Sequence, residues 1–530
     1  MPVFEYNLKK LKKELQIEEN EKIAEIIESF KPEVEEITED KIKISVTQDR
    51  VDLFFEEGFL KAIKDFLFGG CIKKLEMENS GIKVYYKHKV RCREFFSCFV
   101  VKDLKMDENL LKRIIEFQET LHKYVGRDRS LVAIGIHDLD KIKGEIYYRE
   151  ALPNERMIPL TYETEMTLNE VLEICDKGKK YRNLIYEPYP AIYDEESIIS
   201  FPPIINSEKT RLTTNTKNIF VDITGIDKRS VEITTKILIY FFSFFGSPQK
   251  VYLNNDEYPK IDNEIIRINK KEIKSLLGLN LKAEEIKSLL EKMGFEAITL
   301  NAEDIDVVVP FYRVDILHKR DIIEDVAIAY GYNNFELDEL KTVTIGKIHE
   351  REIFENKIRE MLIGMKFLEI ITPTLTNKKN LIKAKISEEP TKILNPVSEE
   401  YNVIRNCLFP SILSFLSKNI SKEYPQNVFE IGYIVKNLED YRCLCICCCH
   451  EKANLSEIIS ILEELFKYLK KEISLKESKL EFLIEGRQAY IVLENKKVIG
   501  FLGEVHPEIL SDFEIFMPTT IAEINLNLLI

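Results

Sequence analysis

The sequence predicts an α+β protein of several domains, built from antiparallel-sheet modules, and three observations carry that prediction. The chain has 530 residues, which at about 150 residues per domain amounts to three or four domains. Apolar residues make up 45% and charged residues 31%, so each domain can bury an ordinary core, and disordered, collagen-like and coiled-coil compositions are excluded. Strand-like alternation and helix-like periodicity succeed one another along the whole length, with no internal repeat and no low-complexity tract.

Taken in order, residues 1–95 read as a compact α+β module, with an alternating strand at 42–46 and an amphipathic helix at 52–68. Residues 96–250 are richer in strands. LVAIGIHDLD at 131–140 and NIFVDITG at 218–225 each end in turn-forming residues, and 230–245 reads as a buried helix closed by Gly246 and Pro248. Residues 247–263, with Pro248, Pro259 and several Asn and Asp, read as a linker. A third module, 264–338, shows a strand, helices at 270–277 and 282–293, a strand at 305–309 and a helix at 319–330. The last, 341–530, alternates helices and strands and ends in the extended stretch AEINLNLL.

Charge and glycine spacing exclude several functions. With 76 basic and 90 acidic residues the net charge is -14, so no whole-molecule positive field attracts nucleic acid, and an RNA contact must be local or made by a partner. The longest apolar run, 237–245, is well short of the ~18 residues needed to span a bilayer. Residues 1–14 mix Lys and Glu without a signal-type apolar stretch, which points to a cytoplasmic protein and no membrane. No two of the 19 glycines are separated by a single residue, which removes GxGxxG dinucleotide loops and glycine-rich ATP loops. GxxxxGK[ST], G-x-S-x-G and HExxH are absent as well.

Half of the ten cysteines crowd into Cys443, Cys445, Cys447, Cys448 and Cys449. Consecutive strand residues face opposite ways, so these five cannot converge on one metal, and they read as small apolar filler of a buried, reduced strand. The Cys445/Cys448 pair has CxxC spacing beside His450, but zinc would require a second such pair.

RDIIEDVAIAYGYNNF at 320–335, FPPIINSEKTRLTTNTKNIFVDITG at 201–225 and LVAIGIHDLD at 131–140 together resemble the β subunit of phenylalanyl-tRNA synthetases of the archaeal and cytosolic eukaryotic type. The likeness covers essentially the whole chain in matching order. It implies an N-terminal module, an editing domain at 96–250, a magnesium- and tRNA-associated domain at 264–338, and a catalytically inactive, class II synthetase-like domain at 341–530. It further implies an α2β2 heterotetramer that charges tRNA(Phe), with ATP and phenylalanine bound by the α subunit. KFLEIITPTL at 366–375 and NVFEIG at 427–432 look like remnants of the first two class II motifs, and Arg405 and His506 sit in family-like positions. The glycine-rich third motif is missing.

Two candidate sites emerge. Asp321, Glu324 and Asp325 fall at i, i+3 and i+4 on one helix face, with Asp315 in the preceding turn. Clustered carboxylates suit Mg²⁺, and equally suit a solvated, acidic helix start; the resemblance favours Mg²⁺, shared with the α subunit. Arg313 and Arg320 flank the cluster and are expected to pair with it.

The second site is an editing pocket. A phenylalanine site cannot strongly reject an analogue that adds only a hydroxyl, so Tyr-tRNA must be hydrolysed elsewhere. The loop 206–215 offers Asn206, Arg211, Thr214 and Asn215, and His137 ends the earlier strand, where it could order a water. The same residues would also serve a loop capped by Asn and Thr beside a structural His. Two readings therefore stand: an enzyme subunit that edits, and a tRNA-binding scaffold that has lost editing.

Overall fold

The computed structural model describes residues 1–73, 75–86, 90–337, 339, 342–494 and 496–529. The chain divides into two compact units, Met1–Asp338 and Glu339–Ile530; the expected boundary residues Asp338 and Lys341 lie outside the described residues.

The first unit begins with a three-stranded antiparallel sheet ordered Val3–Asn7, Lys41–Ser45, Glu33–Ile37. The alternation KIKIS buries Ile42 and Ile44 and leaves the lysines outward. Helix Glu56–Phe68 covers this sheet, with Phe59 stacked on Tyr6 at 4.6 Å.

The second, larger sheet runs Ile205–Asn206, Ile198–Phe201, Tyr189–Tyr193, Ile146–Ala151, Asn79–Tyr86, Ser247–Leu253, Phe95–Lys102, Ile219–Gly225, Val132–Asp138. Four elements matter most for the candidate site: helix α1 (Glu108–Tyr124), strand β1 (Val132–Asp138), strand β2 (Ile219–Gly225) and helix α2 (Lys228–Phe242). Helix α2 exposes Lys228, Arg229 and Glu232 in its first turns and is buried on every side from Ile237 to Phe242. Its Tyr240 stacks on Tyr312 at 3.9 Å and its Phe241 meets Phe55 edge-on at 5.2 Å, joining elements of the N-terminal sheet, the large sheet and the module 264–330 in one core, while the cavity side of the large sheet packs separate clusters.

Three expectations change here. The supposed linker 247–263 contains a central strand, Ser247–Leu253, which turns at Asn254 and Asn255, both left-handed, into the strand Asp256–Tyr258. The Asn residues that suggested a loop are a two-residue hairpin turn. Strand Asn79–Tyr86, from the first 95 residues, lies in the large sheet. The sheet is also mixed, because Asn79–Tyr86 pairs in parallel with both Ser247–Leu253 and Ile146–Ala151.

The remaining part of this unit is the strands Glu264–Asn269, Asp304–Val309 and Glu296–Thr299, the helices Lys270–Leu277 and Ala283–Lys292, and helix α3 (Lys319–Tyr330). Only the four-residue strand Glu296–Thr299 was too short to show in the periodicity.

The second unit is built on a seven-stranded sheet ordered Leu368–Glu369, Gln426–Lys436, β3 (Glu439–Cys449), Thr519–Asn525, Val498–Val505, Leu483–Leu493, Ile473–Glu477, antiparallel except at its first pair. Alternation along β3 sends Cys443, Cys445, Cys447 and Cys449 into one core and Cys448 into the other. Burial pushes the thiols of Cys445 and Cys447 well up and leaves little thiolate to react. All ten cysteines are free and only Cys71 is exposed. A thiol reagent on the folded protein is therefore expected to label one thiol rapidly and the other nine only on unfolding. Rapid labelling within 443–449 would contradict that packing. Among the described residues, no helix is long and apolar enough to cross a membrane.

Candidate active site

The two end strands of the large sheet approach each other, and Asn206 Nδ2 donates to the Ile136 carbonyl across the seam at 3.3 Å. A cavity of about 320 Å³ lies there, walled by Ile134, Gly135 and Ile136 of β1 and by Ser200, Pro202 and Asn206 opposite. One edge of β1 pairs with β2; the other turns its backbone groups toward α1 and the cavity. Helix α1 satisfies two of them with side chains one turn apart: Gln118 Nε2 donates to the Ile134 carbonyl at 2.7 Å, and His122 Nε2 accepts the Ile134 N–H at 2.8 Å.

That acceptor role requires a neutral ring. Burial holds His122 down at about 4, against the raising effect of Glu119. The folded value lies below the ordinary ~6.5, so the unfolded chain takes up the proton first. Stability should then be lost as pH falls from about 6.5 to 4, by roughly 3 kcal/mol for this ring. Denaturant unfolding of the wild type and His122→Gln across that window checks it: the variant should lose less, and equal losses would contradict the assignment.

Beneath Gly135 lies the carboxylate of Asp222, its cross-strand partner on β2. A Cβ on Gly135 would stand 2.0 Å from Asp222 Oδ2, so only glycine admits this carboxylate at the cavity wall. His137 is fully buried, and its Nε2 and Nδ1 lie 2.8 Å from Asp222 Oδ2 and Thr210 Oγ1. A carboxylate only accepts, so Nε2 donates to Asp222 and a neutral ring takes the Thr210 hydroxyl on Nδ1.

The structure brings some of the expected residues together and separates others. Asn206 lines the cavity, held by Ser200 Oγ at 3.0 Å. Arg211 also lines it, exposed and paired with Glu208 at 3.2 Å. His137 stands behind the wall, in contact with the lining residues Asp222 and Thr210. Thr214 and Asn215 fall outside: they form the tip of an exposed turn closed by Thr213 and Thr216, whose hydroxyl donates to Asp138 at 2.8 Å. Asp222, Gly135, Ser200 and Gln118 were not legible as site residues. Their one visible sign was an Asp within the wholly apolar strand IFVDITG.

The acidic cluster is organised around an arginine. Arg313 is buried and grips Asp315 with two hydrogen bonds, 2.9 and 2.8 Å, while its Nη2 also reaches Asp325 Oδ2 at 2.5 Å. Burial alone would raise Asp315, but Arg313 overrides it and holds the carboxyl at about 2; burial keeps Asp325 raised. Asp321 accepts the N–H groups of Leu317 and His318 as part of the helix cap, and the exposed Glu324 lies 3.6 Å from Lys31. Among the described residues, no group of three or more His, Cys, Asp or Glu is placed to hold a metal within this chain, and the Arg313 guanidinium stands between Asp315 and Asp325. The pairing expected for Arg313 is present.

In the second unit Arg405 is buried against Glu430 at 2.8 Å and also donates to the Tyr433 carbonyl. A Cβ on Gly432 would come within 2.3 Å of its Nη2. His506 caps the short helix Pro507–Asp512.

Three family models match the chain: the B3/4 domain at 114–241, the tRNA synthetase B5 domain at 266–332 and the phenylalanyl tRNA synthetase beta chain CLM domain at 340–526. The phenylalanine--tRNA ligase beta subunit of Archaeoglobus fulgidus is 38% identical over 512 residues, covering 93% of each chain. This chain belongs to the phenylalanine--tRNA ligase beta subunit family. The beta subunit of Pyrococcus furiosus is 36% identical, with 94% of each chain covered, and that of Methanosphaera stadtmanae 33%, covering 99% of this chain and all of that one. An N-terminal fragment of the phenylalanyl-tRNA synthetase beta subunit from Pyrococcus horikoshii superposes with a TM-score of 0.57 at 35% identity, covering 62% of this chain and 99% of that one. The family resemblance expected from the three sequence stretches is thus shown. For a beta subunit of this family, the cavity falls largely within the B3/4 match, Arg313 and its carboxylates within the B5 match, and the Arg405 pair within the CLM match.

Proposed function

We propose that this chain is the beta subunit of a cytoplasmic α2β2 phenylalanine--tRNA ligase and that its seam cavity hydrolyses Tyr-tRNA(Phe). The observation that carries the editing half is the cavity itself. Its volume suits one amino-acid side chain with an adenosine at the mouth, its wall mixes apolar Ile134 and Ile136 with Ser200 and Asn206, and Asp222 stands at its base. Such a site can orient a water and the ester by hydrogen bonds without a protein nucleophile. Activation of phenylalanine with ATP belongs to the α subunit, in keeping with the missing glycine-rich motifs here. The unit 341–530 is then a class II core that no longer catalyses. Its Arg405, neutralised by Glu430, supports that reading.

Mg²⁺ belongs to the same proposal. The Asp315 and Asp325 side chains are 6% and 1% exposed, which leaves the half-buried Asp321 and the exposed Glu324 for a hydrated ion, which commonly uses one or two carboxylates plus water and a partner's ligands. Asp315 and Asp325 would stand behind them, held by Arg313. Asp321→Ala with Glu324→Ala should lower the Mg²⁺ content of the purified αβ complex, and unchanged metal content would remove this chain from the site.

Co-purification with an α chain, followed by aminoacylation and Tyr-tRNA deacylation assays, tests the main reading. Phe-tRNA formation should appear only with α present. Charging without any deacylation would instead favour the scaffold reading.

A further inference from the structure

The cavity wall carries two cations that the hydrolytic reading leaves unused. Arg129 is 5% exposed, with Nη1 donating to the carbonyls of Pro203 and Ile204, both at 3.1 Å, and Nη2 to Glu119 at 2.7 Å. Its Nε is buried with no partner. The residue closes a run of three left-handed positions, Arg127, Asp128 and Arg129 at φ 46°, 52° and 67°, a backbone that non-glycine residues hold only when their surroundings impose it. Arg93, itself fully buried, fixes the Arg129 carbonyl at 3.2 Å. This guanidinium is thus set rigidly in place.

Lys177 lines the same cavity and is exposed at its rim. Glu119, which could have neutralised it, is engaged by Arg129 at 2.7 Å and His122 at 3.4 Å. Desolvation, and next the like charge of Arg129, lower the Lys177 ammonium below the usual lysine range; an anion beside it would relieve both. Outside the rim, Lys179, Lys180 and Arg182 are exposed with only Asp176 among them, a local basic run on a chain of net charge -14. A fixed guanidinium already bound to Glu119, an exposed ammonium for which no ion pair is found among the described residues, and a basic approach together describe a site for a phosphate backbone.

We propose that Lys177 and the Arg129 guanidinium form a phosphodiester subsite at the cavity rim, and that Lys179, Lys180 and Arg182 continue a track for the single-stranded 3′ end whose terminal acyl group enters the cavity. This rests on the hydrolytic reading and names the part of the substrate that the basic rim takes. The cavity interior, with Ile134, Ile136, Ser200, Asn206 and Asp222, serves the amino acid; the rim serves the nucleic acid and sets KM.

The test is steady-state deacylation of Tyr-tRNA by the αβ complex at several salt concentrations, for wild type, Lys177→Ala, Lys177→Glu and Lys177→Arg. Lys177→Ala should raise KM by about 10-fold with kcat within about two-fold, and should flatten log KM against log salt by ~0.7, the share of one single-strand phosphate. Lys177→Glu should raise KM further, and Lys177→Arg should restore it. If wild type hydrolyses Tyr-tRNA while Lys177→Ala and Lys177→Glu keep both KM and salt slope, the subsite is refuted and the hydrolytic reading stands. If wild type does not hydrolyse Tyr-tRNA, both fall together.

Discussion

Asp222→Asn in the αβ complex is expected to slow Tyr-tRNA hydrolysis by ~10²-fold or more while leaving phenylalanine activation, which the proposal assigns to the other subunit, at its wild-type rate. Asn retains the size of Asp and can still accept a hydrogen bond from His137 Nε2, so the wall keeps its shape and only the charge is lost. Charged tRNA should then carry tyrosine at a frequency approaching the ~100-fold discrimination an apolar synthetic site can manage alone. His137→Ala should change hydrolysis in the same direction, because Asp222 loses the group that orients it, but it also empties a fully buried site, so its folding must be measured alongside. Arg211→Ala, at the exposed mouth, should weaken deacylation less. An Asp222→Asn complex that hydrolyses Tyr-tRNA at the wild-type rate would show that this carboxylate is structural.

Arg313→Met should destabilise the first unit by about 3–5 kcal/mol, the cost of leaving buried charges without their partner. The side chain is 2% exposed and Asp325 1%, so neither carboxylate can turn to water when the guanidinium is removed. Lys at this position would keep the charge but lose the fork that reaches Asp315 and Asp325 together, and should recover only part of the stability. Denaturant unfolding followed by signals from the first unit measures both variants. A loss below about 1 kcal/mol for Arg313→Met would mean that the carboxylates accept another cation in its place, as a four-ligand Mg²⁺ site would require.

Legibility in the sequence varied with the kind of signal. Helices Lys270–Leu277 and Ala283–Lys292 and the strand Asp304–Val309 could be read from periodicity, because each exposes one face. Strand Ser247–Leu253 could not, since Pro248, Asn254 and Asn255 resemble a linker until the sheet partners on either side are known. The same limit governed the sites. Asn206 and Arg211 were visible as polar residues in a loop between strands, yet Thr214 and Asn215, equally polar and in the same loop, stand at an exposed turn outside the cavity lining. Asp222 and Gly135 act as a cross-strand pair, and no spacing along the chain reports that pairing. Clustered carboxylates in the sequence suggested Mg²⁺; the pairing of two of them with Arg313 was legible only as an expectation that the flanking arginines join the cluster.

Whether the cavity between β1 and the segment 198–206 is the hydrolytic site for Tyr-tRNA is tested most directly by a crystal structure of the αβ complex with a non-hydrolysable 3′-tyrosylamido-adenosine. The tyrosyl group is expected in the cavity, its amide carbonyl facing the Asp222 and Asn206 side chains. Density for the tyrosyl group at another place on the complex, with this cavity unchanged, would contradict that assignment.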